Sequence, residues 1–271
     1  MLLSYLLYIT WNVDPKIFTI PGTDWAIRWY GLMWAVGLII SQQVMYHIFK
    51  NDNRPSKDVD TLTVYIIIGT LLGARFGHFL FYDPEAFITN PLQIILPPYA
   101  GLASHGGAIG ILTALWFFSR KLKYNYLWMV DRLVIVVCIT GGFIRLGNLM
   151  NSEILGKVTD VPWAFIFKHV DNAPRHPAQL YEAIYCFLLF ALLFYIWKNK
   201  RTVVRNGFIF GVFLVVLWSL RFVDEFFKIN QEPFEDGLLL NMGQILSIPF
   251  VIFGIILLIR TWKKPAQNVE S

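Results

Sequence analysis

Residues 206–226 read NGFIFGVFLVVLWSLRFVDEF, an apolar run that indicates the fold class. No charged side chain occurs from Asn206 to Leu220, and the apolar run then ends in a charged segment that contains Arg221 and Glu225. A helix crosses a hydrocarbon core of ~30 Å in roughly 20 apolar residues, so this run is long enough to span a membrane. It lacks the in–out alternation that is typical of a membrane β-barrel strand.

The composition of the whole chain agrees with this class. Of the 271 residues, 56% are hydrophobic and 15% are charged, against about 45–50% and about 25% in soluble domains. The mean hydropathy is +0.53. These values exclude a disordered, collagen-like, coiled-coil or disulfide-stabilised chain. We attribute the net charge of +5 to basic residues that set the orientation in the membrane and contact anionic lipid headgroups, rather than to binding of nucleic acid. Cys138 and Cys186 lie in apolar runs and are expected to be core residues.

Six further segments have the same character as residues 206–226. The sequence therefore predicts an all-α polytopic membrane protein with seven transmembrane helices, forming a single integral membrane domain over residues 1–271. The predicted spans are about 27–49, 60–82, 105–119, 126–146, 178–197, 206–226 and 239–260. The opening stretch Met1–Ile9 is too short to span and is interpreted as an interfacial helix.

The distribution of Lys and Arg predicts the orientation. Of 23 such residues, 13 fall in loops on one side of the predicted spans and 5 in loops on the other side. The positive-inside rule then places the N-terminus outside and the C-terminus in the cytoplasm. The five loop residues on the outer side are Lys16, Lys157, Lys168, Arg175 and Lys228. Two long outer segments are expected, an extracytoplasmic loop at 83–104 and a small extracytoplasmic cap at 147–177 that is rich in Gly, Pro, Asn and Trp.

Polar side chains near the outer ends of the spans are the main functional signal. Inserting an ionised side chain into a bilayer costs about 2.5–3.5 kcal/mol on insertion scales, so such a residue is expected to have a structural or functional role. With the predicted orientation, polar side chains from all seven spans lie at a similar depth, near the outer ends of the spans. They are Arg28, Arg75, His78, His105, Arg145, Glu182, Arg221, Glu225 and Gln244. Snorkelling of a long side chain toward the interface explains a single arginine, but it explains arginines on several spans poorly. It is our interpretation of Asp131 and Arg132, which lie at the inner end of a span. We expect a buried cationic site for a lipid phosphate, because a guanidinium donates bidentately and keeps its charge.

Span three opens with Ser104-His105-Gly106-Gly107. Glycines let a neighbouring backbone or a ligand approach closely, and a helix N-terminus favours an anion. Histidine is also the natural proton acceptor near neutral pH. These features favour a functional role for His105 over a purely structural one.

Two further segments add carboxylates and amides. Span four ends in Arg145-Leu146-Gly147-Asn148, which Asn151 and Glu153 follow, and this segment suits both a capped helix end and ligand contacts. Arg221 and Glu225 are four residues apart and can pair on one helix face. Glu182 is placed to hold an arginine.

Taken in order, these motifs resemble those of the prolipoprotein diacylglyceryl transferase family. The matching segments are Trp29-Tyr30-Gly31-Leu32-Met33-Trp34, His105-Gly106-Gly107, Arg145-Leu146-Gly147-Asn148 with Asn151 and Glu153, Gly156, Pro162-Trp163-Ala164, His176-Pro177 with Gln179, Tyr181 and Glu182, Arg221 with Glu225, and Met242-Gly243-Gln244-Ile245-Leu246-Ser247. The family often has glycine at the positions of Ile144 and Ser152, and these differences leave the charged groups intact.

The resemblance implies an enzyme of the bacterial cytoplasmic membrane. It implies transfer of the diacylglyceryl group from phosphatidylglycerol to the lipobox cysteine of a preprolipoprotein, with formation of a thioether and release of glycerol-1-phosphate. This is the first step of lipoprotein maturation, and no metal or cofactor is implied. The expected partners are phosphatidylglycerol, the signal-peptide lipobox and the lipid bilayer.

We expect catalytic roles for Tyr30, His105, Arg145, Arg221 and Glu225. The arginines would stabilise charge on the departing phosphate. His105 would accept the thiol proton, and a thiol pKa lowered by the arginines, with no dedicated base, is the alternative. The expected substrate-binding residues are Arg75, Gly106, Gly107, Arg145, Asn148, Asn151, Glu153, Gly156 and Glu182.

Two other functions stay open at this point. One is a non-catalytic transporter or scaffold that binds anionic lipid. The other is a membrane acyltransferase, for which His47 and Asp52 have the H-x4-D spacing of glycerolipid acyltransferases.

Overall fold

The computed structural model describes residues 8–23, 25–89, 101–230, 235 and 237–262. The helices are α1 (Trp29–Asn51), α2 (Lys57–Tyr82), α3 (Pro84–Thr89), α4 (Ser104–Leu122), α5 (Tyr126–Met150), α6 (Ala178–Lys200), α7 (Phe208–Asp224) and α8 (Met242–Trp262). The strands are β1 (Ile9–Trp11), β2 (Lys16–Thr19), β3 (Ala26–Arg28), β4 (Phe165–Phe167) and β5 (Pro174–Arg175). The protein is thus mostly helical, as predicted, but the short strands make the all-α prediction wrong in detail.

A long helix covers each predicted span. Among the described residues, α1, α2, α5, α6 and α8 are long and apolar enough to cross a membrane, as in a polytopic membrane protein. Helix α4 has 19 residues and carries Arg120 and Lys121 in its last turn, and α7 has 17 residues. At a rise of 1.5 Å per residue, α7 is about 26 Å long, slightly shorter than a typical hydrocarbon core. The count of seven spans therefore stays a prediction.

The chain forms two compact units. One consists of Met1–Gln43 and Leu133–Ser271, and the other of Val44–Arg132. Helices α1 and α5 each have residues in both units.

In the unit Val44–Arg132, α2 and α4 pack through glycines spaced four residues apart. Gly69, Gly73 and Gly77 lie on α2, and Gly106 and Gly110 lie on α4. A Cβ on Gly110 would lie 2.9 Å from the Cα of Gly73, and a Cβ on Gly77 would lie 2.6 Å from the Cα of Gly106. Glycines at this spacing let two helix backbones approach closely.

The same unit contains a buried ion pair that corrects one prediction. The Nε of Arg132 donates to Oδ2 of Asp52 at 2.9 Å, and the Arg132 guanidinium lies 4.3 Å from the ring centre of Trp128. Arg132 is 5% exposed and Asp131 is 1% exposed. Snorkelling is therefore wrong for both residues. The Asp52 carboxylate, which belongs to the acyltransferase-type spacing, is engaged in this pair.

Tyr124 packs in the same region of this unit. It stacks on Trp128 with a ring-centre distance of 5.5 Å, and its hydroxyl donates to Oδ2 of Asp58 at 2.7 Å. Burial, together with this carboxylate, raises the pKa of the Tyr124 hydroxyl well above its usual range. The hydroxyl therefore remains a hydrogen-bond donor at physiological pH.

The segment 147–177 folds together with the first strand of the chain. Strand β1 pairs in parallel with β4, and β4 pairs antiparallel with β5. Trp11 packs against the buried side chains of Phe165 and Phe167, and its Nε1 donates to the carbonyl of Leu149 at 3.0 Å. These contacts attach the segment to the end of α5.

Two loop or terminal predictions differ from the structure. Ile9 lies in β1, so an interfacial helix over Met1–Ile9 is wrong at its end, and residues 1–7 lie outside the described part. The predicted loop 83–104 includes the short helix Pro84–Thr89, and residues 90–100 are likewise not described.

Candidate functional site

A cavity of about 150 Å³ lies among α5, α6 and α7 in the unit that contains Leu133–Ser271. Arg145, near the end of α5, and Arg221, near the end of α7, both line it. The remaining lining is apolar, aromatic or sulfur-containing: Val137, Cys138, Gly141, Tyr185, Cys186, Phe213, Leu217 and Trp218. Two arginines from different helices therefore line one largely apolar cavity.

Arg145 is oriented by a carboxylate and an amide. Its Nε pairs with Oε2 of Glu182, and its Nη1 donates to Oδ1 of Asn148 at 3.3 Å. Asn148 Nδ2 in turn donates to Oε2 of Glu153 at 3.2 Å. Since the Glu182 side chain is fully buried, it requires a cation, and this requirement fixes the position of Arg145.

Arg221 is held less completely. Its Nη2 lies 3.6 Å from Oε1 of Glu225, one helical turn away, and its guanidinium lies 5.6 Å from the ring centre of Trp218. Trp218 stacks on Phe250 with a ring-centre distance of 4.3 Å. The Nε of Arg221 is buried and has no hydrogen-bond acceptor among the residues that the structure describes, so a donor remains for an anion.

Lys228 is a further charged residue of this cluster. It is 1% exposed, and its Nζ pairs with Oε1 of Glu182, with Oδ2 of Asp224 at 3.1 Å and with Oε1 of Glu225 at 3.1 Å. The sequence-based assignment of Lys228 to an outer loop missed this burial. A signal was available, because Lys228 follows Asp224 by four residues and Glu225 by three, the spacing of side-chain pairs on one helix face.

The start of α8 positions Glu225. Asn241 and Gln244 form a reciprocal cap, in which the Gln244 N–H donates to Asn241 Oδ1 at 2.9 Å and the Asn241 N–H donates to Gln244 Oε1 at 3.1 Å. Asn241 Nδ2 also donates to Oε2 of Glu225 at 3.2 Å. A Cβ at Gly243 would lie 2.5 Å from the Glu225 carboxyl carbon, so a larger residue here would displace this carboxylate.

Tyr30, Asn151 and Glu153 lie beside the end of α5. A Cβ on Gly147 would lie 2.9 Å from Cδ2 of Tyr30, so the Tyr30 ring packs directly on this glycine. Asn151 Nδ2 donates to Oε1 of Glu153 at 2.9 Å, and the side-chain amide of Gln179 donates to the Glu153 carbonyl. The structure thus brings Tyr30, Asn148, Asn151 and Glu153 to the helix end that carries Arg145.

Gly156 lies where two backbones meet. Its N–H donates to the carbonyl of His176 at 3.1 Å, and it forms an antiparallel bridge with Lys228. The His176 ring lies 3.1 Å, through Nδ1, from the Tyr181 hydroxyl. Burial lowers the pKa of His176 below its ordinary value of 6.5, so this ring is neutral at pH 7.

The remaining predicted site residues belong to the unit Val44–Arg132. Arg75 is 5% exposed, donates to the Gly101 carbonyl at 3.2 Å and lies 5.0 Å from the ring centre of Phe79. His105 is exposed and makes an edge contact with Phe81 at a ring-centre distance of 5.1 Å.

The two glycines beside His105 face α2. The backbone of Gly73 and Gly77 fills the side-chain space of Gly106, and Gly107 faces Ala74 and Thr70. Helix packing accounts for Gly106, and a role of either glycine in substrate binding stays a prediction.

Comparison with known proteins gives matches to one family. Residues 15–260 match a family model described as prolipoprotein diacylglyceryl transferase. A phosphatidylglycerol–prolipoprotein diacylglyceryl transferase of Bacteroides fragilis is 46% identical over 264 residues, which cover 93% of this chain and 95% of the relative. Proteins of the same name from Tolumonas auensis and Chloroherpeton thalassium are 43% and 42% identical, cover 95% and 97% of this chain, and are themselves covered over 99% and 98%.

The match is therefore not confined to the apolar spans, which many membrane proteins share. It includes the segments that carry Arg145 and Arg221, which line the cavity, and those that carry Asn148, Glu182 and Glu225, which contact these arginines. With this coverage and this identity, the chain belongs to the prolipoprotein diacylglyceryl transferase family.

Proposed function

We propose that this chain transfers the diacylglyceryl group of phosphatidylglycerol to the lipobox cysteine of preprolipoproteins. The observation that carries the proposal is the meeting of Arg145 and Arg221 at one apolar cavity in a chain of this family. The names of the relatives specify phosphatidylglycerol and prolipoprotein as the substrates of those proteins. The cavity supplies the matching chemistry, cationic for a phosphate and apolar for the carbon chain beside it.

In the proposed reaction, the substrate thiolate attacks the carbon of the diacylglyceryl group that is bonded to the phosphate oxygen. A C–S bond forms while the C–O bond breaks, and the bonding electron pair leaves with the phosphate. The products are a thioether and glycerol-1-phosphate. Negative charge grows on the phosphate as the C–O bond breaks, so preorganised guanidinium groups stabilise the transition state more than the ground state.

The arginines are suited to this task because carboxylates orient them. Glu182 holds Arg145 and Glu225 holds Arg221, and both arginines line the cavity. The unpartnered Nε of Arg221 supports the same role, since among the described residues it has no acceptor. Apolar walls lower the local dielectric constant and strengthen each contact with the phosphate.

We further propose that His105 accepts the proton of the substrate thiol. The alternative is that the arginines lower the thiol pKa and no dedicated base exists. The variant His105→Asn distinguishes the two, because loss of a base removes its ionisation from the pH–rate profile. An unchanged profile would favour the alternative.

Other residues are proposed to hold the lipid and the peptide. Tyr30 and Asn148 would contact glycerol or ester oxygens, because Tyr30 packs on Gly147 and Asn148 contacts Arg145 at the same helix end. The further substrate-binding residues in this proposal are Arg75, Gly106, Gly107, Asn151, Glu153, Gly156 and Glu182.

We also propose seven spans in the bacterial cytoplasmic membrane, with the N-terminus and the segments 83–104 and 147–177 outside and the C-terminus inside. The excess of Lys and Arg on one side of the spans supports this orientation. A membrane-impermeant thiol reagent should label Lys168→Cys in intact spheroplasts and label Lys200→Cys only after permeabilisation. The reverse pattern would contradict the orientation, and the parent chain with its buried Cys138 and Cys186 is the control.

The function is tested by incubating the purified protein with phosphatidylglycerol and a peptide that carries a lipobox cysteine. Mass spectrometry of the peptide should show the added mass of a whole diacylglyceryl group. Added mass of one acyl chain would indicate an acyltransferase, and lipid binding without added mass would indicate a transporter or scaffold. Arg145→Ala should abolish the product, whereas Arg260→Ala, at an exposed position near the end of α8, should leave it unchanged.

A further inference from the structure

We propose that Lys228 is a positioning residue: it neutralises the carboxylates that hold Arg145 and Arg221, and so keeps both arginines available to a lipid phosphate. This inference rests on the proposed function and extends it to a residue outside the cavity lining.

The backbone on both sides of Lys228 is fixed. Lys228 forms an antiparallel bridge with Gly156. The N–H of Lys157 donates to the carbonyl of Phe227 at 2.7 Å, and the N–H of Ile229 donates to the carbonyl of Leu155 at 3.2 Å. These bonds hold the backbone of Lys228 just beyond the end of α7. Its side chain extends into the protein, where it is almost completely buried.

The contacts of Lys228 join the two arginine pairs into one cluster. Glu182 contacts both Arg145 and Lys228. Glu225 contacts Lys228 at 3.1 Å and Arg221 at 3.6 Å. Each carboxylate that orients a cavity arginine therefore has the same lysine as its second cation.

The charges of this cluster cancel, and the balance depends on Lys228. The cluster has three carboxylates, including Asp224, and three cations, so its formal charge is zero. Without Lys228, three carboxylates would face two arginines. A buried carboxylate that loses its cation is strongly destabilised, so each would retain its arginine in competition with an incoming phosphate.

Lys228 removes this competition. When an arginine turns part of its guanidinium toward phosphate, the carboxylate it leaves still has the ammonium group of Lys228. Among the residues that the structure describes, Lys228 does not line the cavity, so it acts through the arginines and not on the substrate. A lysine suits this position because three N–H donors can serve three carboxylates.

The first test compares Lys228→Met with Lys228→Arg in detergent-purified full-length protein, using phosphatidylglycerol micelles and a lipobox-cysteine peptide. Lys228→Met should lower kcat/KM by about 10- to 100-fold, as expected when a catalytic group is misplaced. The KM for phosphatidylglycerol should rise, because phosphate then competes with unbalanced carboxylates. Lys228→Arg keeps the charge and should stay within about fivefold of the wild type.

The matched control is Lys168→Met. Lys168 lies in the same unit but is exposed, and its Nζ donates to Oδ1 of Asn172 at 2.8 Å. This variant should keep both kcat and KM.

A second variant separates charge balance from packing. Lys228→Met combined with Asp224→Asn removes one cation and one carboxylate, and this restores the balance. The double variant should recover at least about fivefold in kcat/KM over Lys228→Met, a coupling expected only between interacting residues. A role confined to packing predicts no recovery, because the double variant has lost more contacts. If Lys228→Met does not fold, the double variant is compared with the wild type, and a deficit of more than about 100-fold with an unchanged KM overturns the proposal.

The outcomes distinguish this inference from the function on which it rests. If the wild-type protein adds no diacylglyceryl mass to the peptide, the proposed function fails and the role of Lys228 falls with it. If the wild-type protein is active and Lys228→Met keeps its kcat/KM and its KM within about twofold, only the positioning role is overturned.

Discussion

Buried carboxylates set the position of the two cavity arginines. The side chain of Glu182 is fully buried and that of Glu225 is 7% exposed, while those of Arg145 and Arg221 are 23% and 33% exposed. Because a buried carboxylate requires a cation, each of these arginines is held in an ion pair, and both arginines line the cavity. The i,i+4 spacing predicts the pair of Arg221 with Glu225. It cannot identify Arg145 as the partner of Glu182, because these residues lie on different helices.

Ser152 gives a prediction at the residue scale. Its φ is +55°, in the left-handed region that costs a non-glycine residue about 1–2 kcal/mol, and its Oγ is buried with no partner among the described residues. Ser152→Gly should therefore raise the free energy of unfolding by about 1 kcal/mol, measured by denaturant unfolding in detergent. Ser152→Ala keeps the Cβ and should gain less. Lower stability of the glycine variant would contradict this account.

At the scale of elements, the helices could be predicted and the strands could not. Continuous apolar runs such as 239–260 indicate a long apolar helix by themselves, because burial in lipid requires every backbone group to bond within the segment. Strand β1 is three residues long and pairs Ile9 with Phe165 in a distant part of the chain. No local pattern near Ile9 specifies that partner, and for this reason the prediction of a helix that continues to Ile9 is wrong at that residue.

The packing of α2 on α4 gives a prediction for an element. Gly110→Val would place a side chain against the backbone of Gly69 and Gly73, so the helices must separate. Overpacking of this kind costs about 1–3 kcal/mol, which a thermal unfolding experiment in detergent can resolve. Transfer activity should also fall, because α4 carries His105. Ala108→Val adds the same kind of side chain at an exposed position of α4 and should be close to neutral. Equal stability of the two variants would contradict the close packing.

The segment 147–177 gives a pH prediction. Burial lowers the pKa of His176 in the folded protein below 6.5, so the unfolded chain binds a proton more readily. The contribution of His176 to stability is thus present above pH 6.5 and is lost as the pH falls through the folded-state pKa. An NMR titration in detergent micelles should show this pKa for the histidine resonance that is missing in His176→Gln. A resonance that titrates at or above 6.5 would contradict the burial of the ring.

At the scale of the whole molecule, composition predicts the class of protein, and the tertiary structure creates the site. Few charges and a positive mean hydropathy indicate a polytopic membrane protein without reference to any motif. The cavity needs three helices that are separate in sequence. The charge cluster includes Lys228, which lies beyond the predicted end of a span. Its spacing from Asp224 and Glu225 indicates those two ion pairs, but its burial and its contact with Glu182 depend on the tertiary pairing of its backbone with Gly156, which local sequence does not encode.

In the proposed reaction, Arg145 and Arg221 act together on one lipid phosphate. A double-mutant cycle on kcat/KM for diacylglyceryl transfer tests it most directly, with Arg145→Lys, Arg221→Lys and the double variant, because lysine keeps the charge and loses the bidentate fork. Two groups that share a ligand should couple by at least about 1 kcal/mol, so the double variant should lose less activity than the product of the two single losses. Losses that multiply to within about 0.5 kcal/mol would show independent residues and contradict a shared phosphate site.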